Sequence, residues 1–237
     1  MIPKIVHYCW FGGKPLPESA VKCIESWKKF LPDYEIREWN ESNFNVNMNR
    51  FTMEAYKLKQ YAFVSDYARF WILNNYGGVY FDTDVELINT IDDIICHGAF
   101  TGMETPYKKT EGLWGINPGI GIGCEKGNPL VKDFLECYSR EHFVNTRGSF
   151  STTVVKLVSN RMNALPYTVD SFGIAHFENM NVYPKDFFCP LDYETGELVV
   201  TKNTRSIHHY AATWVNKIGV IKRILQRFTW LKVRFIG

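Results

Sequence analysis

The sequence predicts an α/β fold on a mainly parallel central sheet, and three observations carry that prediction. The first 85 residues read as five segments, strand, helix, strand, helix, strand, the pattern of a sheet built by helical crossovers. An apolar run, Val79-Tyr80-Phe81, leads straight into Asp82-Thr83-Asp84, placing acids at the carboxyl end of a buried strand, where such sheets bind ligands. Apolar residues make up 46% and charged residues 22% of 237, which excludes disorder and fibrous repeats and suits one domain with a substantial core.

Taken in order, Lys4 to Trp10 is a mostly apolar strand, stopped by Gly12-Gly13, Pro15 and Pro17. Val21, Ile24, Lys28 and Leu31 follow helical spacing, closed by Pro32. Tyr34 to Trp39 alternates as a strand, and the Asn-rich stretch Asn40 to Asn49 follows it. From Tyr61 to Asn75 a helix is apolar over much of its circumference, and Gly77-Gly78 supplies a left-handed stop. Val85 to Ile88 alternates as a further strand. Beyond it come a Gly-rich, strand-like stretch (Gly115 to Gly123), two helices (Pro129 to Glu141 and Thr152 to Arg161) and a hairpin signal at Glu194-Thr195-Gly196-Glu197. The expected organisation is one catalytic domain over 1–215 with a tail over 216–237.

Aromatic residues reach 16%, enough for stacking surfaces on flat or ring-shaped ligands. No run approaches the roughly 20 apolar residues that cross a bilayer, and the N-terminus lacks the features of a secretion signal. Six scattered cysteines form no CxxC pair, so neither a zinc knuckle nor a redox motif is expected and a reducing cytoplasm is. Six of the 27 Lys and Arg lie between Asn216 and Gly237, where there is no Asp or Glu. The body is therefore acidic on balance, unlike a nucleic-acid binder. In the tail, Ile218, Ile221, Leu225 and Phe228 approximate one helical stripe, with Lys222, Arg223 and Arg227 off it and Trp230 and Phe235 beyond. Such a segment suits docking on an anionic membrane surface, and equally a helix packed on the body.

Asp82 and Asp84 are two apart, so in an extended chain both carboxylates face one volume. Two such charges repel unless a cation is present, and hard oxygens suit Mn²⁺ or Mg²⁺ shared with a substrate phosphate. A solvated turn is the plain alternative. Asp66 and Arg69 fall on one helical face; in a helix this apolar the pair is expected to face a cleft rather than bulk water. Asn117, in Gly115-Ile116-Asn117-Pro118-Gly119, can hydrogen-bond sugar hydroxyls or simply serve a turn.

Three segments together resemble glycosyltransferase family 32, the DXD-containing sugar transferases related to glucosylating bacterial toxins: Ile2 to Gly12, Ser65-Asp66-Tyr67-Ala68-Arg69, and Tyr76-Gly77-Gly78-Val79-Tyr80-Phe81-Asp82-Thr83-Asp84. The likeness returns at Asn117, at Tyr183-Pro184 and at His208-His209-Tyr210-Ala211-Ala212-Thr213-Trp214, but the family's Thr-Gly-Pro segment has no match between Leu165 and Phe177. The resemblance implies a GT-A type nucleotide-sugar-binding fold and a retaining hexosyl transfer. It implies that Trp10 stacks on the base beside the Cys9 backbone, and that Asp66 and Arg69 hold ribose and donor sugar or diphosphate. Asp82 would touch ribose and metal, and Asp84 would ligate the metal. By the same similarity His208, with His209 in reserve, completes the metal shell, and Thr213 and Trp214 close over the diphosphate as a lid.

The expected partners are a nucleotide-sugar donor, UDP-linked by preference, and a glycan or polyprenyl-linked acceptor of surface polysaccharide synthesis at the inner face of the membrane. No carboxylate stands out as a covalent nucleophile, since Asp170 and Glu178 lie in the unmatched stretch; a front-face displacement is therefore preferred. A nucleotidyltransferase and a non-catalytic carbohydrate-binding module are the alternatives.

Overall fold

The computed structural model describes residues 1–105, 115–143, 153–211 and 233–236. The chain begins β1 (Ile5–Cys9), α1 (Glu18–Phe30), β2 (Glu35–Trp39), α2 (Arg50–Lys57), α3 (Tyr61–Tyr76), β3 (Gly78–Tyr80) and β4 (Val85–Leu87). It continues α4 (Asp92–Ile95), β5 (Phe100–Thr105), β6 (Gly115–Ile116), β7 (Ile122–Cys124), α5 (Pro129–Ser139) and α6 (Val154–Asn163). Then come β8 (Thr168–Val169), β9 (Ala175–Phe177), β10 (Met180–Tyr183), α7 (Lys185–Phe188), β11 (Leu198–Thr201), β12 (Ser206–His208) and β13 (Val233–Ile236).

The main sheet runs β2-β1-β3-β7-β5-β10-β9-β8, with β6 paired to β5. β1 is parallel to both β2 and β3, and β5 is parallel to β10. β7 opposes β3 and β5, and β9 opposes β10 and β8. Along that path only β7 and β9 therefore run against the common direction, so the carboxyl ends of β1, β3 and β5 meet on one edge. Two separate pairs complete the topology: β12 against β4, and β13 alongside β11.

Each sequence-predicted element of the first half is present, with local corrections. α1 buries Ala20, Cys23, Ile24 and Trp27, while Val21 is exposed; its apolar face is rotated from the stripe expected through Val21 and Lys28. The reason is Trp27, which is fully buried and donates its indole N–H to the Val85 carbonyl at 2.8 Å, fixing α1 against β4. α2, which the Asn-rich stretch conceals, is capped by Asn49, whose side chain accepts from the Thr52 amide. The Gly-rich stretch divides into β6 and β7 around a loop, and the Glu194–Glu197 signal forms a turn closed by the Asp192 amide on the Glu197 carbonyl at 2.8 Å. Residues 233–236 of the predicted tail form β13 alongside β11; the whole helical stripe from Ile218 to Phe228 lies outside the described residues. All six cysteines are free thiols, and among the described residues no helix is long and apolar enough to cross a membrane.

α3 is the helix on which the site is built. Val64, Ala68, Phe70, Ile72 and Leu73 are fully buried, as expected of a helix apolar on most sides. It ends at Gly77, whose φ of +66° lets its amide reach back to the Leu73 carbonyl. A Cβ there would stand 2.7 Å from the Lys126 amide nitrogen, so only glycine fits.

That helix end is tied to β1 by His7, which is fully buried. Trp39 donates its indole N–H to His7 Nδ1 at 3.1 Å, and His7 Nε2 lies 2.9 Å from the Gly77 carbonyl. An indole only donates and a carbonyl only accepts, so the ring is neutral with its hydrogen on Nε2. Burial lowers the His7 pKa to about 4, helped by the Arg37 charge and opposed by the Gly77 hydrogen bond. The unfolded chain takes up this proton near the ordinary value of 6.5; His7 thus contributes stability that is full above pH 6.5 and is lost as the pH falls towards 4. Linkage puts the loss at about 3 kcal/mol. Urea unfolding from pH 7 to pH 4.5 should show this decline, and H7Q, which can make both hydrogen bonds without titrating, should flatten it.

Candidate active site

One helical turn separates Asp66 from Arg69 on α3, and both point to the carboxyl end of β3. Arg69 is only 3% exposed. Its Nη2 lies 2.7 Å from Asp66 Oδ1 and 3.2 Å from Asp82 Oδ1, and its Nε donates to the Ser65 carbonyl at 3.3 Å. The guanidinium sits 4.8 Å from the centre of the Tyr80 ring, and the Tyr80 hydroxyl donates to Asp82 Oδ1 at 3.0 Å. The remaining nitrogen, Arg69 Nη1, is buried without a hydrogen-bond partner among the described residues. Desolvation pushes the Asp66 carboxyl up to about 7, against the pull of Arg69. Burial acts to lower the Arg69 pKa, but Asp82, Tyr80 and Asp66 together hold it above its ordinary value. Removing the arginine would leave two acids uncompensated, a change that typically costs about 3–5 kcal/mol.

The second acid is handled separately. Asp82-Thr83-Asp84 is a turn, closed by the Val85 amide on the Asp82 carbonyl at 3.1 Å, and not the extended segment expected from the sequence. Its carboxylates accordingly face different partners. Asp84 Oδ1 is 3.3 Å from His208 Nε2, Asp84 Oδ2 accepts from the Ala211 amide at 2.8 Å, and the Asp84 carbonyl accepts from the His209 amide at 2.9 Å. Burial raises the Asp84 pKa, but the His208 charge and these donors outweigh it and draw it to about 2. Burial likewise disfavours a charged His208, and Asp84 overrides it, holding the imidazole well above the usual histidine range. Pairing of β12 with β4 sets His208 opposite Val85. His209 turns outward to Glu86 at 2.7 Å, so His208 is the histidine at the acidic pair.

β1 ends beside β3, carrying Cys9 and Trp10 to the same edge. Cys9 is buried, and burial pushes its thiol up to about 12, with Arg69, Tyr80, Asp82 and Ser65 around it. Trp10 is half-buried; its amide donates to the Trp39 carbonyl at 2.8 Å and its indole N–H to the Lys14 carbonyl at 2.6 Å. Asn117, in the loop between β6 and β7, donates to Glu104 Oε2 at 3.3 Å and accepts from the Gly119 amide at 2.8 Å. The Gly119 carbonyl in turn accepts from the Asp82 amide at 2.9 Å. The structure thus brings Asp66, Arg69, Asp82 and Asn117 into one hydrogen-bonded edge, with Asp84 and His208 beside it. Thr213 and Trp214 lie outside the described residues. Asp170 is paired with His176 at 3.1 Å beside the turn between β8 and β9.

Among the described residues no three His, Cys, Asp or Glu side chains are grouped as a ready metal cage. The chemistry of the donors nonetheless suits a hard divalent cation shared with a phosphate: Asp82 and Asp84 would supply oxygens and His208, once its proton is lost, a nitrogen. Sequence reasoning missed Tyr80, Gly119, Glu104 and the Ala211 amide. Tyr80 was findable, as a hydroxyl-bearing residue two positions before Asp82 at the end of the apolar run; a backbone amide leaves no trace in the residue letters.

A sheet edge of acids and one buried arginine on this α/β frame is that of a GT-A glycosyltransferase, and comparisons with known proteins agree. The model of a glycosyltransferase sugar-binding region containing a DXD motif matches residues 17–101. A glycosyltransferase of Acanthamoeba polyphaga mimivirus is 32% identical over 229 residues, covering 84% of this chain and 91% of its own. Inositol phosphoceramide mannosyltransferase 3 of Schizosaccharomyces pombe is 30% identical over 138 residues, 55% of this chain; the match spans only 35% of that relative's length. Among solved structures, the glycosyltransferase PaToxG superposes with a TM-score of 0.51 at 19% identity, covering 68% of this chain and 67% of its own. A glycosyltransferase involved in glycosylation of the major capsid of PBCV-1 gives 0.50 at 12% identity, covering 96% and 100%. The chain belongs to glycosyltransferase family 32.

Gly119 offers a direct check on the edge. A Cβ at this position would fall on the Asp82 carboxylate and stand 2.9 Å from Arg69 Nη1. G119A should therefore displace both groups and reduce turnover about 100-fold, the usual consequence of a misplacement near 1 Å. Overpacking of this kind costs about 1–3 kcal/mol, so the melting temperature should fall by a few degrees while the fold is kept.

Proposed function

We propose that this glycosyltransferase moves a hexose from a nucleotide diphosphate sugar, UDP-linked by preference, to a lipid-borne or glycan acceptor, with retention at the anomeric carbon. The observation that carries the reading is the unpartnered Nη1 of buried Arg69 beside Asp82. A guanidinium N–H kept dry and unmatched is a donor aimed at an oxyanion or sugar hydroxyl that has yet to arrive.

In this reading Trp10 stacks on the base, with the Cys9 backbone beside it. Asp66 and Arg69 hold ribose and the donor sugar or diphosphate, Asp82 touches ribose, and Asn117 hydrogen-bonds a sugar hydroxyl. Asp82, Asp84 and His208 hold Mn²⁺ or Mg²⁺, which when bound offsets charge on the leaving diphosphate. Arg69 does the same from the protein side without reorganising. The acceptor oxygen bonds to the anomeric carbon as the bond to the diphosphate oxygen breaks, and that oxygen takes the acceptor's proton. Thr213 and Trp214 exclude water as a lid. Asp66, Asp82 and Asp84 are all engaged by cationic partners, which supports the front-face route over a covalent intermediate. The fission-yeast relative, named for a phosphoceramide acceptor, supports a lipid-borne acceptor. So does the basic tail over 216–237, which pairs with the domain over 1–215 through β13 and whose basic residues before that strand are read as a contact with the anionic inner face of the membrane.

Incubation with Mn²⁺ and a panel of UDP- and GDP-sugars should release UDP or GDP slowly from one donor. Chelation, D82A or D84A should each lower that rate at least about 100-fold; undiminished turnover after chelation and in both variants would overturn the metal reading. A glycosylated side chain trapped by mass spectrometry would replace the front-face route. Flotation on phosphatidylserine vesicles should be lost in K222E/R223E/R227E, and equal flotation of that variant would remove the membrane contact.

A further inference from the structure

We propose that Tyr210 is a positioning residue for the acidic end of the site, its strained backbone and anchored side chain holding residues 208–211 on Asp84. Three donors from this short segment reach one residue: the His208 imidazole and the Ala211 amide engage the Asp84 carboxylate, and the His209 amide engages its carbonyl. For the amides on either side of Tyr210 to turn towards the same residue, the chain must reverse between them. Tyr210 does this with φ at +51°, a left-handed conformation that a bulky side chain disfavours and glycine adopts freely. Among the described residues the only other non-glycine with positive φ is Lys59, which follows the end of α2, an ordinary place for it.

Turn geometry alone would select glycine here, so the tyrosine is explained by what its side chain touches. Its hydroxyl lies 3.0 Å from Cys189 Sγ at the end of α7 and faces the Glu104 carboxylate at the end of β5. Its ring stands 4.2 Å from the His208 ring and 5.0 Å from that of Tyr193, centre to centre. A strained backbone persists where such contacts over-determine it, and this one adjoins the site. Glu104 also accepts from Asn117, whose loop carries Gly119 against Asp82. Tyr210 therefore joins the segment that holds Asp84 to the loop that holds Asp82. It acts on metal binding only if Asp84 is a ligand, as read above, whereas its hold on the segment stands on the contacts alone.

Two variants of the full chain separate these. Y210G removes every anchor while relieving the backbone, and Y210F removes only the hydroxyl. Amide hydrogen exchange followed by NMR without metal should show Ala211 and His209 exchanging at least about tenfold faster in Y210G, with the β3 amides unchanged. Mn²⁺ affinity, read by electron paramagnetic resonance, should fall about tenfold with them. Y210F should show the same changes in smaller measure, about threefold, since the ring contacts remain. Wild-type protection at both amides in Y210G overturns the proposal. Lost protection with wild-type Mn²⁺ affinity supports the hold of Tyr210 on the segment and overturns Asp84 as a metal ligand. Should Y210G not fold, Y210F decides, and wild-type exchange in it overturns the role of the hydroxyl anchor. Should the wild type bind no Mn²⁺, the metal reading fails by itself and the exchange result alone decides for Tyr210.

Discussion

Charge compensation at the carboxyl end of the sheet is the constraint on which the rest of the structure depends. Asp66, Asp82 and Asp84 come together there with limited access to solvent, and burying carboxylates is costly unless cations stand beside them. Arg69 serves the first two and His208 the third. The need explains why α3 is so apolar: an arginine that must hold two carboxylates in place gains from a helix whose other sides cannot rotate away from the core. It also explains Tyr80, which donates to Asp82 and lies against the guanidinium, filling the remaining side of a charge that has little water around it.

Topology supplies the partners from distant parts of the chain. Parallel pairing of β1 with β3 lines up Cys9 and Trp10 with the strand that leads to Asp82, because parallel neighbours end on the same edge. His208 arrives by another route. β4 leaves the DXD turn and pairs with β12, so the segment after Ser206 is delivered to Asp84 by a short two-stranded ladder. Trp27 secures that ladder from behind through its hydrogen bond to Val85. The site is thus set by two independent supports, one from the main sheet with α3 and one from β4 with α1 and β12.

This division accounts for what was legible in the residue letters. β1 to β3, α3, its glycine stop and the placing of Asp66, Arg69 and Asp82 could be read because each depends on near neighbours: periodicity, caps and an apolar run ending in acids. The choice of His208 over His209 came from family likeness, and geometry supplies its reason, since His209 is engaged by Glu86. What was hidden depends on distant neighbours. The face of α1 is decided by Val85, far along the chain; the DXD segment turns because its two acids are drawn to Arg69 and to His208; and the Ala211 amide has no side chain to advertise it. The pairing of β5 with β7 and β10 joins short strands whose order only the folded sheet defines.

The two cations at this edge are not equivalent, and the difference bears on how substrate could enter. Arg69 cannot be discharged in a protein, so its charge is permanent and one of its nitrogens remains unmatched. It can only gain by meeting an anion. The charge on His208 is held there by Asp84 and can leave as a proton, after which the same Nε2 becomes a lone-pair donor. In the proposed function a diphosphate would meet the fixed charge of Arg69, and a cation brought with it would need His208 to give up its proton before that nitrogen could serve as a ligand. Before any donor binds, each of the three acids thus has a cation within reach, with Arg69 shared by two of them and His208 held by the third.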